Sequence, residues 1–166
     1  DDSDGNPGGA DFPFRNNDCS LLFTPPGDGN YRLRIHDYTG GGGPADLYRL
    51  IIQPGAPDYD LVTTSWYAAP AKATKAISRH SAIIRRGGTA LLRVFAIRRN
   101  GFKDSISLSV KGLPDGIDCP PVTLTAGQDT ATLVLYGTKE VENWQGFVRV
   151  VGTAGETKRT ARPGTI

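Results

Sequence analysis

The chain of 166 residues contains no methionine at all. A translated protein begins with one, so a sequence that opens Asp1-Asp2-Ser3-Asp4 is expected to be a processed or internal piece of a longer protein. Long apolar runs are also missing. Nothing approaches the roughly 20 consecutive apolar residues of a membrane helix, which excludes a helical span within this stretch. Heptad patterning is absent, and the 21 glycines and 12 prolines follow no three-residue period, so coiled-coil and collagen-like architectures are excluded. Cysteine is sparse, with two residues, and histidine equally so. With Cys19 and Cys119 a hundred positions apart, metal-ligand spacing is lacking and a dense disulfide framework is ruled out.

What is present is the composition of an ordinary folded protein, 38% hydrophobic and 22% charged. Glycine and proline punctuate it into short segments. Tyr31-Arg32-Leu33-Arg34-Ile35-His36 alternates strictly, and Ser20–Thr24 and Leu47–Ile52 are further strand candidates on either side of a Gly40–Pro44 loop. Beyond Gln53-Pro54-Gly55-Ala56-Pro57 the pattern predicts strands over 61–67, 89–97, 105–110, 122–125, 131–135 and 147–151. Asn100-Gly101 after the second of these is a hairpin signal. Six or seven short strands in about 105 residues, without a convincing helix, predict a β-sandwich.

The net charge of +2 conceals a split. Residues 1–60 carry ten acids against four arginines, a net of −6, and residues 61–166 carry a net of +8. Such halves are expected to be two modules that attract each other within a chain or between chains. The basic charges are scattered and accompany no nucleic-acid motif, so nucleic acid is not an expected partner.

Several residues invite chemistry. Asp1, Asp2, Asp4, Asn6 and Asp11 lie in a glycine-rich loop and offer the hard oxygen ligands that calcium takes; position 12 is Phe12, so no EF-hand is completed. The competing reading is a solvated acidic terminus. Cys19 and Cys119 either form a disulfide, remain separate buried thiols, or link to another chain. On the chain-entropy model a loop of about 100 residues closed by a disulfide stabilises by ~4.7 kcal/mol. His36 and His80 are the only histidines, and neither accompanies a nucleophile motif, Ser78-Arg79-His80-Ser81 included. No catalytic residue is therefore assigned. Trp66 and Tyr67 at a strand end, and Trp144, are aromatics of the kind that stack on sugars, though large aromatics in sandwiches more often pack in the core or at its rim.

Ser20–Thr24, then Gly29–Asp37, then Gly42-Gly43-Pro44-Ala45-Asp46-Leu47-Tyr48-Arg49-Leu50-Ile51-Ile52 resembles the end of a bacterial pre-peptidase C-terminal domain. Arg86-Gly87-Gly88-Thr89, Val94–Phe102, Gly112-Leu113-Pro114-Asp115-Gly116, Ala126-Gly127-Gln128 and Ala161–Ile166 resemble the immunoglobulin-like module found in large exported proteins of planctomycete-type bacteria. The resemblance implies an all-β chain of two small β-sandwich modules, the first incomplete and the second immunoglobulin-like. Residues 1–53 would be the C-terminal part of the first domain, 54–58 a linker and 59–166 the sandwich. Some pre-peptidase C-terminal domains bind calcium at acidic segments, which supports that reading of Asp1–Asp11. Residues 11–53 hold about half the strands such a domain should have, so other parts of the parent chain or further copies of the protein would supply the rest. The expected function is a non-catalytic structural, adhesion or assembly module at the cell surface or outside the cell. The alternative is a targeting module of a secreted hydrolase, holding polysaccharide or protein through Trp66 and Tyr67.

Overall fold

The computed structural model describes residues 21–36, 40–66 and 81–163. Nine strands fall within them: β1 (Asp58–Trp66), β2 (Thr89–Arg99), β3 (Ile106–Lys111), β4 (Ile117–Asp118), β5 (Val122–Leu124), β6 (Thr130–Gly137), β7 (Arg149–Ala154), β8 (Thr157–Thr160) and β9 (Arg162–Pro163). The protein is all-β, built as two sheets packed face to face. One sheet runs β4-β6-β2-β1-β9 and the other β5-β3-β7-β8. Placing the first, second and sixth strands in one layer and the third, seventh and eighth in the other gives the strand distribution of an immunoglobulin-like sandwich. Among the described residues no helix is long and apolar enough to cross a membrane.

Alternation explains the two faces of the larger sheet. Leu92, Val94 and Ala96 of β2 enter the main core with Tyr59, Leu61, Leu133, Leu135, Ile106, Leu108 and Val150. Their neighbours Phe95 and Ile97 turn to the opposite face, where they form a second buried cluster with Val62, the residue paired with Phe95. The middle of β2 is thus buried on both sides, which accounts for its almost continuous apolar run Leu91–Ile97.

The sequence expectation of a hairpin at Asn100-Gly101 needs correction. Both residues have positive φ, 51° and 75°, and Phe102 N donates to Arg99 O at 3.0 Å, so the tight turn is there. It joins β2 to β3, however, and these lie in different sheets. The turn carries the chain across the sandwich because Phe102 is pulled into the core, its ring 4.9 Å from that of Tyr59.

A second difference concerns the first 57 residues. Among the described residues, the segments expected as strands within Ser20–Thr24, Tyr31–His36 and Leu47–Ile52 belong to no sheet. A strand is stabilised by a neighbour that pairs with its backbone and covers its apolar face. Local alternation supplies neither. The charge split is also not a simple boundary, since the last acids of the acidic stretch, Asp58 and Asp60, belong to β1. They pair with arginines of the basic stretch: Asp58 with Arg159 at 2.6 Å, and Asp60 with Arg99 at 3.2 Å and Arg162 at 3.3 Å.

Candidate functional site

One end of the sandwich is closed by a cluster that reads as architectural. Arg98 stands opposite Tyr59 in the β1–β2 register, on the core-facing side. Its guanidinium lies 5.5 Å from the Phe102 ring centre and donates to three backbone carbonyls, Asp104 at 2.7 Å, Thr125 at 2.9 Å and Gln128 at 3.2 Å. Asp129 Oδ1 lies 3.3 Å from Nε, a charge contact without hydrogen-bond geometry, so the buried Nε–H has no hydrogen-bond partner. One side chain thereby fastens the loop after β2 to the loop before β6. All its partners are carbonyls of this chain or a carboxylate already paired with it. The cluster organises loops and presents no ligand-ready group.

Trp66, the described member of the expected Trp66–Tyr67 pair, ends β1 on the face of the larger sheet turned away from the core. Arg93, two residues from Leu91 along the same face, lays its guanidinium 4.5 Å from the Trp66 ring centre and 5.8 Å from that of Phe95. This cation–π contact occupies one side of the indole. Tyr67, Cys19, Ser78, His80 and the acidic set Asp1, Asp2, Asp4, Asn6 and Asp11 lie outside the described residues. Cys119 is a free, buried thiol, and burial pushes its pKa up, which makes it a poor nucleophile at neutral pH.

The feature most unlike an ordinary domain surface is the apolar content of residues 21–52. Leu47 is 91% and Ile52 82% exposed, and Leu21, Leu22, Phe23, Leu33, Ile35, Tyr48 and Ile51 are all at least half exposed. The stretch has some internal order. Phe23 and Tyr31 meet edge-on with ring centres 5.1 Å apart, and the Tyr31 hydroxyl donates to Gly27 O across the Pro25–Asn30 turn. Leu22 packs so closely on Gly55 that a Cβ there would stand 2.5 Å from Leu22 Cδ1. Asn100 Nδ2 donates to Ala56 O at 2.9 Å and ties the end of the stretch to the sandwich. These contacts fix its ends and leave most of its apolar surface in water, at a cost of about 25 cal/mol per Å².

Sequence reasoning found the exposed segments by their alternation but missed Tyr59, Arg98 and the role of β6. A signal for β6 was present: Thr130–Gly137 contains no charged residue and no proline, the devices that normally protect a sheet edge. Comparison with known proteins found no matching family model, no matching curated protein and no matching solved structure.

Proposed function

We propose that the chain is a non-catalytic structural and assembly module of a larger exported protein, working outside the cell or at its surface. The observation that carries this reading is the pairing of a well-packed sandwich with an adjoining stretch whose strand-like apolar segments join no sheet among the described residues. Monomeric proteins seldom keep so many large apolar side chains of one stretch in water, and segments with strand-forming sequences find stability by adding to a sheet. The function then resides in complementarity of surface and edge.

The test is the solution mass of the chain across a concentration series, measured by light scattering. Assembly predicts a mass that rises above 17.7 kDa with concentration, and a return to the monomer when Leu47 and Ile52 are both changed to serine. A monomer of 17.7 kDa at every concentration overturns the proposal.

A further inference from the structure

The larger sheet has one unprotected edge. β4 pairs with β6 only through Ile117↔Gly137 and Asp118↔Tyr136, so β6 from Thr130 to Leu135 has no strand beyond it among the described residues. The direction of its free backbone groups follows from the ladder. Ala96 N donates to Asp129 O and Gly137 N to Gly88 O, which makes the pairs Ala96–Asp129 and Gly88–Gly137 hydrogen-bonded ones. Antiparallel pairs alternate, so Ala131, Leu133 and Leu135 bond to β2. Thr130, Thr132 and Val134 therefore aim their N–H and C=O groups outward, three donors and three acceptors in a row. Thr138 N donating to Gly116 O on that outer side fits the same phase.

The other edges are guarded. β1, covered by β9 only at Val62 and Thr63, carries Asp58 and Asp60; β8 carries Lys158 and Arg159, β9 is Arg162-Pro163, β5 is three residues long and preceded by Pro120-Pro121, and β4 is two residues long. Among the described strands only β6 is both long and uncharged.

We infer that this edge accepts Leu47–Ile52 of a second copy of the chain as an added antiparallel strand. The inference rests on the assembly reading above and specifies its contact. Leu47–Ile52 is exposed and belongs to no strand ladder among the described residues. As a strand it would set Tyr48, Leu50 and Ile52 on one face and Leu47, Arg49 and Ile51 on the other. One row extends the core layer of Leu133 and Leu135, and the other lies beside Thr132 and Val134. The uncharged edge opposes no charge to Arg49.

Reach assigns the donor to another copy. Asp58 pairs with Arg99 on the side of β2 opposite β6, and Thr130 pairs with Phe95. A strand outside β6 lies three strand spacings from β1, about 14 Å, and its position beside Thr130 is four residues away along the sheet, about 14 Å. The diagonal is about 20 Å and runs through β2 and β6 themselves. The six Cα steps from Ile52 to Asp58 cover at most about 21 Å, which leaves no length for a path around the sheet. The segment does not reach its own β6.

The test uses the full chain and two edge variants. Thr132→Pro removes an outward N–H without touching the bonds to β2, and Val134→Lys puts a charge on the edge while keeping every N–H. Far-UV circular dichroism and thermal unfolding identify the variants that keep the fold. The expected result is an assembled native chain and loss of the assembled species, with the mass falling to 17.7 kDa, in a folded edge variant. If folded Val134→Lys assembles as the native chain does while Leu47→Ser/Ile52→Ser abolishes assembly, the edge assignment is overturned and the assembly reading stands. If the native chain itself stays monomeric, both are overturned.

Discussion

Tyr59 on β1 donates its phenolic hydrogen to the carbonyl of Gly152 on β7 at 2.9 Å, joining the two sheets through the middle of the core. The Thr157 carbonyl stands 3.1 Å from the same hydroxyl, so the one hydrogen is shared between β7 and the start of β8. The phenol is fully buried, and its ring rests on Phe102. A buried hydroxyl with two carbonyl partners thus ties the two layers from within the core, where the Asp58–Arg159 pair ties them at the surface.

Replacing Tyr59 by phenylalanine leaves those carbonyls without their donor and should destabilise the fold by about 1–2 kcal/mol in denaturant unfolding. A second readout is alkaline pH. Burial raises the phenol's pKa above its ordinary 10.0, so its contribution to stability is complete below pH 10 and is lost as pH rises through the folded-state value. The Tyr59→Phe protein should lose less stability above pH 10 than the native one. Equal slopes would mean that Tyr59 does not carry this term.

Gly152 is needed for its lack of a side chain as well as for its carbonyl. A Cβ there would lie 2.6 Å from Leu61 Cδ1 and 2.9 Å from Ile106 Cγ2, in the centre of the sandwich. Gly152→Ala should therefore cost about 1–3 kcal/mol through overpacking. Shortening the facing residue makes room, so Leu61→Val combined with Gly152→Ala should be less destabilised than the two single changes added together. Additive costs in a double-mutant cycle would show that the strain is relieved elsewhere.

Arg98 makes a prediction about loops. Its charge-assisted bonds to Asp104 O, Thr125 O and Gln128 O depend on the planar fork of the guanidinium, which lysine lacks. Arg98→Lys should lose about 1.5–3 kcal/mol for the bonds it cannot remake. Hydrogen exchange should accelerate first in residues 100–105 and 125–129, before the strands open. Uniform acceleration across the sandwich would contradict a loop-fastening role.

The pattern of the second half of the chain was largely readable. β2, β3 and β6 stand close to the segments expected from alternation, because their periodicity reports which side chains meet the core. What alternation does not report is the sheet to which a strand belongs. Asn100-Gly101 set the local turn correctly, and the burial of Phe102 decided that the chain would cross to the other layer. Tyr59, Arg98 and Gly152 act on residues at least 27 positions away, apart from the contacts of Arg98 with Phe102 and Asp104, and carry no local signature. Leu47–Ile52 shows the converse. Its strand character is plain in the sequence, but a strand also needs a partner, and none stands beside it among the described residues. β8, rich in Lys and Arg, and the two-residue strands β4 and β9 escaped notice because their pairing owes little to apolar periodicity.

The ion pair between Asp58 and Arg159 sets an acid limit for the β1–β8 contact. Arg159 Nη2 donates to Asp58 Oδ2 at 2.6 Å, and this bond, opposed by partial burial and aided by the Tyr59 backbone N–H, holds the Asp58 carboxyl below its ordinary 3.8. A depressed folded-state pKa means that the pair's contribution is fully present above pH 3.8 and is lost as pH falls through the lower folded value. Both side chains are about two-fifths exposed, so solvent and salt screen the attraction and the contribution is small. Stability measured by urea unfolding should therefore decline below about pH 4, and Asp58→Asn should flatten part of that decline while changing little at pH 7. Raising the salt concentration at pH 7 should narrow the gap between native and Asp58→Asn proteins further. An Asp58→Asn protein that declines as steeply as the native one would assign the acid sensitivity elsewhere than to this pair.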